Sequence, residues 1–145
     1  MKLRIVAVGR VKERAMRDSI DEYLGRVRRY APVEEIELAD EAPTKLVALM
    51  RKHAAGAHLV ALDMGGEERD SVGFARALEQ LASTGKGDGG FVLGGKDGLP
   101  PEIRREASKI WSLSRLTFPH RLARLVLVEQ LYRAMTVLRG EPYAQ

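Results

Sequence analysis

The sequence predicts an α/β domain with a mostly parallel sheet and helices on both faces, on three observations. Short strand-like runs alternate with segments of helical periodicity along most of the chain. The last segment is a long helix with apolar residues around much of its circumference. No linker, repeat or low-complexity tract divides the 145 residues, so a single domain over 1–145 with its own hydrophobic core is expected.

The elements follow in order. Lys2 to Val8, with Ile5, Val6, Ala7 and Val8 in sequence, reads as a buried strand closed by Gly9. Val11 to Tyr30 carries Met16, Ile20, Tyr23, Leu24 and Val27 at helical spacing, until Pro32 forbids continuation. Val33 to Ala39 alternates glutamates with Ile36 and Leu38, as a strand exposed on one face does, and Pro43 to Ala55 is helical through Leu46, Leu49 and Met50. His58 to Asp63 is a third strand. Ser71 to Ala82 is a third helix, capped by Asp70 or Ser71. The glycine-rich stretch from Gly85 to Gly90 leads into a fourth short strand, Phe91 to Leu93. Pro100 or Pro101 can open a short helix to about Ala107, and Ile110 to Leu113 can be a fifth strand. His120 to Arg139 has no glycine or proline and must be covered on two sides, for which a second subunit is a natural source.

Composition removes several function classes. Cysteine is absent, which excludes disulfides, thiolate nucleophiles, cysteine zinc sites and iron–sulfur clusters. His53, His58 and His120 fall on three separate elements without ligand spacing, so no metal is expected. No apolar run approaches a membrane span and the N-terminus is not a signal-peptide core, so a cytoplasmic protein without membrane attachment is expected. Net charge is +4, distributed as +5 over residues 1–30, −5 over 31–98 and +4 over 99–145. If the two basic ends meet, they form a surface suited to a polyanion such as nucleic acid; otherwise they are solvated arginines.

In open parallel sheets, ligands sit beyond the carboxyl ends of strands. Three such segments stand out: Leu62 to Gly66, Leu93 to Leu99, and Leu113 to His120. Their paired glycines allow close approach of a ligand to the backbone, and Ser and Thr add hydroxyls, giving a backbone-lined pocket for a planar ring. The alternative is that Gly94, Gly95 and Gly98 only make tight turns. Gly94 to Leu99 matches neither the phosphate-loop nor the dinucleotide fingerprint, and Ser108, Ser112 and Ser114 lack a nucleophile-elbow context. Trp111 reads as a core or interface anchor rather than a base-stacking platform.

The segment from Trp111-Ser112-Leu113-Ser114 through Thr117-Phe118-Pro119-His120, then Arg124 and Glu129 to Ala134, strongly resembles the RlmH family. Further matches are Met1-Lys2-Leu3, Val6 to Gly9, Leu62-Asp63, Leu93-Gly94-Gly95, Gly98-Leu99 and Pro142-Tyr143, so the resemblance spans the whole chain. These are small SPOUT-class methyltransferases that use S-adenosylmethionine to methylate N3 of a pseudouridine in 23S ribosomal RNA. The resemblance implies a C-terminal deep trefoil knot, an exception to the rule against knotted chains. It also implies a homodimer whose sites are assembled across subunits, and action on the assembled ribosome. The cofactor site it implies comprises Leu62, Gly94, Gly95, Leu113, Ser114, Arg115, Leu116, Thr117 and Phe118.

Arg124, Arg133 and Tyr143 are the candidates for catalysis, the arginines as RNA or transition-state contacts together with Arg121, unless they pair with carboxylates such as Glu129 or Glu102. Arg10, with Arg14, Arg17, Arg26, Arg28 and Arg29 on the first helix, is a lesser candidate for phosphate binding. Two positions depart from the family. Ala144 and Gln145 stand where a histidine and a basic residue are usual, and neither can act as a base or a cation. Lys96-Asp97 stands where Pro-Glu is usual, a change that can alter loop stiffness. The alternative function is therefore a catalytically weakened ribosome-binding module of the same fold.

Overall fold

A computed structural model of the chain describes residues 1–143; Ala144 and Gln145, where the sequence departs from the family's tail, lie outside the described residues. The elements are β1 (Leu3–Val8), α1 (Arg14–Val27), β2 (Val33–Leu38), α2 (Pro43–Ala54), β3 (His58–Glu67), α3 (Ser71–Ser83), β4 (Gly89–Leu93), α4 (Pro101–Glu106), β5 (Lys109–Trp111) and α5 (His120–Arg139). The strands form one sheet in the order β2-β1-β4-β3-β5, and every pairing is parallel.

Because side chains alternate along a strand, β1 serves two cores. Leu3, Ile5 and Ala7 join Val60, Phe91 and Trp111 under α1, α3 and α5, while Val6 and Val8 join Ala61 and Val92 under α2 and α4. The expected arrangement of helices on both faces is therefore present. Trp111 is a core anchor, edge-on to Phe74 at 5.4 Å and tilted against Phe91 at 5.8 Å.

Several boundaries move, each for a local reason. The first helix starts at Arg14 rather than Val11, because the Val11 N–H is held by the Glu37 carboxylate (2.8 Å) and the Val11 side chain is buried beneath an extended segment. After Val27 the chain turns, with Tyr30 N–H bonded to the Val27 carbonyl, before Pro32. β3 runs past Asp63 to Glu67 through a register shift against β5, where a Cβ on Gly66 would lie 2.6 Å from the Ile110 carbonyl oxygen. β4 includes Gly89 and Gly90, paired on both sides with β1 and β3. β5 ends at Trp111 instead of Leu113, since the Ser112 hydroxyl bonds forward to the Ser114 carbonyl and the strand gives way to a turn.

α5 has the expected bounds and lies between α1 and α3. Two flanks of its apolar circumference are thus covered within the protomer, while Leu122, Leu125 and Val126 stay partly exposed. The helix ends at Gly140, in the left-handed conformation with φ +64°.

Candidate active site

A cleft of about 540 Å³ opens at the carboxyl ends of β3, β4 and β5. Its volume falls in the range of small-molecule sites. The three segments singled out beyond these strands meet there. Leu62, Gly94, Gly95, Leu113, Ser114, Leu116, Thr117 and Phe118 all line the cleft, and Arg115 does not. The Arg115 side chain is 74% exposed and pairs with Glu68 at 3.1 Å, so the residue takes part only as a link in the loop.

The local geometry explains the residue types. Gly95 to Gly98 is a turn closed by Gly98 N–H donating to the Gly95 carbonyl (3.0 Å), with Gly98 at φ +75°. Lys96 and Asp97 occupy its two central positions. A Cβ on Gly94 would lie 2.5 Å from the Gly98 carbonyl oxygen and 2.6 Å from Leu99 N, and one on Gly95 would press on Val8 at 3.0 Å. Gly94 is therefore required by the turn, and it also lines the cleft. In the facing wall, Leu116 N–H donates to the Ser114 hydroxyl (2.9 Å), and Thr117 Oγ1 lies 3.5 Å from Met64 Sδ. Asp63 accepts from Gly65 N–H at 2.9 Å and pairs with Arg104 at 3.3 Å. The result is a site of backbone groups and apolar side chains, suited to a molecule with a flat ring and several polar edges.

The charged candidates are placed differently. Arg124 is buried to 1% exposure and engages Glu35 (3.1 Å), Glu37 (2.5 Å) and the Gly9 carbonyl (2.8 Å). A guanidinium so enclosed is unavailable to RNA phosphates, which corrects the expectation for this residue. Burial alone would raise the Glu37 carboxyl; the Val11 N–H and the Arg124 and Arg17 guanidiniums more than offset it and hold it below the usual glutamate range. Arg121 pairs with Glu13 at 2.7 Å.

Arg133 and Tyr143 meet one turn and more along α5, away from the cleft's lining. Arg133 donates to Glu129 at 2.7 Å and lies 4.5 Å from the Tyr143 ring centroid, while Tyr143 donates its hydroxyl to Glu129 at 3.0 Å. The Tyr143 ring also packs edge-on against Tyr132 at 4.7 Å. Burial, then hydrogen bonds with Tyr23 and Glu129, push the Tyr143 phenol well above its ordinary value, so it stays protonated at neutral pH. It is a donor there, not a base. Arg14, Arg28 and Arg29 are exposed, whereas Arg17 and Arg26 pair with acidic neighbours on their own helix.

The residues missed from sequence lie at the same edge of the sheet. His120, the last residue of the third singled-out segment, lines the cleft although no individual role beyond metal ligation was weighed for it. The rule of looking beyond strand ends, applied to β1 and β2 as well, would have found Lys12 and Asp40. Among the described residues, no group of three or more potential ligands is placed to hold a metal ion, and no helix is long and apolar enough to cross a membrane.

Comparison with known proteins gives this arrangement a family. In the solved structures, the chain is similar to a probable methyltransferase from Bordetella pertussis Tohama I, with a TM-score of 0.60 at 15% identity over 92% of this chain and 95% of that one. It is also similar to a probable methylase family protein from Haemophilus influenzae Rd KW20, with a TM-score of 0.59 at 12% identity over 99% of this chain and 70% of that one. These likenesses carry the fold alone. Among curated proteins, the ribosomal RNA large subunit methyltransferase H of Sorangium cellulosum (strain So ce56) is 55% identical over 99% of both chains. The protein of that name from Desulfitobacterium hafniense (strain DSM 10664 / DCB-2) is 40% identical over 99% of this chain and 98% of its own. With a match to the model described as "Predicted SPOUT methyltransferase" over residues 1–144, the chain belongs to the SPOUT methyltransferases and, within them, to the ribosomal RNA large subunit methyltransferase H family.

Proposed function

We propose that this protein is a single-domain, cytoplasmic, S-adenosylmethionine-dependent methyltransferase of 23S ribosomal RNA that methylates N3 of a pseudouridine on assembled ribosomes. The observation that carries the reading is the cleft at the ends of β3, β4 and β5, where three loops present backbone groups around an apolar floor. Its donor set fits the cofactor. Leu62, Leu93, Leu113, Leu116 and Phe118 offer apolar faces to an adenine, and the backbone of Gly94, Gly95 and Leu113 to Phe118 offers the donors and acceptors that its edges and the amino-acid end require. When bound, S-adenosylmethionine supplies an electrophilic sulfonium methyl.

The chain's own residues must then orient the ring nitrogen toward that methyl and favour loss of its imide proton. Arg124 is committed to Glu35 and Glu37, so cationic help from within the same protomer falls to Lys96 in the cleft lining. Tyr143 and Arg133 do not line the cleft of their own protomer. Their part in catalysis belongs to a homodimer in which one protomer's tail reaches the other's cleft, with Tyr143 positioning the base. A C-terminal trefoil knot would bring the three loops together in the manner of this family.

Two residues favour a second reading. Ala144, with Gln145, replaces groups able to serve as base and cation at the target, which suits a ribosome-binding module with weakened catalysis. The test of both is transfer of a labelled methyl from S-adenosylmethionine to ribosomes lacking the modification, by the natural protein and by Ala144→His with Gln145→Arg. Robust transfer by the natural protein supports the enzyme. Transfer by the double variant alone supports the weakened module, and transfer by neither removes this substrate.

A further inference from the structure

A second cleft, of about 630 Å³, opens on the opposite side of the β4 loop, over the carboxyl ends of β1 and β2. It shares Gly95, Lys96 and His120 with the first cleft, so one turn and one imidazole form the partition between them. Arg10, Lys12 and Lys96 line it, and none of the three has a carboxylate partner among the described residues. This sets them apart from Arg17, Arg121 and Arg124 nearby, each of which is neutralised. The carboxylates in the lining are Asp40 and Glu37, and Glu37 already serves Arg17 and Arg124.

The loop that carries these cations is held in place. Gly9 N–H donates to the Leu38 carbonyl (2.7 Å), the Gly9 carbonyl accepts from Arg124 (2.8 Å), and Val11 N–H donates to Glu37 (2.8 Å). Gly9 adopts φ +99°, and the His120 ring packs against it. Arg10, exposed between two anchored residues, is presented on a backbone fixed before any ligand arrives. Burying Arg124 is costly unless its partners compensate, and here those partners secure a surface loop. Exposed, uncompensated cations on two loops flanking an open cleft suit an extended polyanion.

We propose that this second cleft seats the sugar–phosphate backbone of the substrate RNA beside the target nucleoside, with Arg10, Lys12 and Lys96 as its phosphate contacts. The proposal rests on the ribosomal RNA methyltransferase reading and adds where the strand lies. A nucleoside entering the first cleft would have its neighbouring phosphates across the Gly95–Lys96 partition.

The test compares Arg10→Ala with Lys12→Ala, as a double variant, against Lys52→Ala with Lys86→Ala, exposed lysines in the segments that precede β3 and β4, whose loss removes the same charge. Binding to ribosomes lacking the modification is measured by sedimentation across a salt series, with S-adenosylmethionine affinity and methyl-transfer kinetics alongside. The first pair should raise KM for ribosomes roughly tenfold while kcat stays within about twofold, and should flatten the slope of log affinity against log salt by about 1 to 2. S-adenosylmethionine affinity should stay within about twofold, as a variant outside that site requires. An unchanged slope, or an equal loss in the control pair, overturns the proposal. Ribosome binding with this salt response but without methyl transfer supports the phosphate cleft and removes the methylation reading; a natural protein that binds no ribosome removes both.

Discussion

The two clefts on either side of the β4 loop share a wall and differ in almost everything else. The one beyond β3, β4 and β5 is lined mostly by backbone and apolar side chains, with Asp63, Lys96 and His120 among them, and the one beyond β1 and β2 adds Arg10 and Lys12 on an anchored loop beside Glu37 and Asp40. Recognition by backbone depends on where the chain runs and forgives changes of side-chain charge. Recognition by charge depends on which cations remain unpaired, which the rest of the fold decides. Glycine substitutions should therefore break the first cleft and charge removal the second.

The largest effect is expected where a single residue supports the charged side. Arg124→Met would leave Glu35 and Glu37 enclosed without this cation and free the Gly9 carbonyl, and should destabilise the protein by about 3–5 kcal/mol in urea unfolding. The sign of the accompanying pH dependence follows from Glu37. Its carboxyl is held below the usual glutamate range in the folded protein, so its contribution is present above the unfolded value and is lost as pH falls through the folded one. Acid destabilisation should accordingly be shallower in Arg124→Met than in the natural protein, and an equal slope would detach Glu37 from the effect.

Next comes the backbone-lined side. Gly94→Val places its Cβ on the backbone of Gly98 and Leu99, so the turn must shift. S-adenosylmethionine binding should weaken by at least about 100-fold in calorimetry, with a stability loss of about 1–3 kcal/mol from overpacking. Retained affinity would mean that the glycines serve only the turn. A gentler probe is Ser114→Ala, which removes the acceptor of the Leu116 N–H. About 1 kcal/mol, or roughly fivefold, should be lost from cofactor affinity. Arg115→Ala should change both affinity and stability by less than about 0.5 kcal/mol, because its side chain points to solvent and forms a surface pair. A large loss there would restore Arg115 to the cofactor site.

Legibility from sequence followed the same division. The bounds of α5 were readable because His120 to Arg139 holds no breaker and Gly140 ends it. The segments that line the first cleft were readable because residues just beyond parallel strands converge by topology, whichever side chains they carry. The start of α1 was not, since Val11 is apolar at helical spacing and only the distant Glu37 holds its N–H in an extended loop. The role of Arg124 was equally hidden: its carboxylate partners lie 89 and 87 residues away on β2, beyond any local pattern.

By itself, the sequence determined the alternation of strands and helices, the glycine loops beyond the strands and the family they resemble. These depend on local periodicity and on residue types that only certain backbone conformations accept. Tertiary structure alone decided which cations are left without a carboxylate partner. Ion pairs between remote segments form only when the sheet brings β1, β2 and α5 together, and the same packing that buries Arg124 against Glu35 and Glu37 leaves Arg10, Lys12 and Lys96 uncompensated at the mouth of the second cleft.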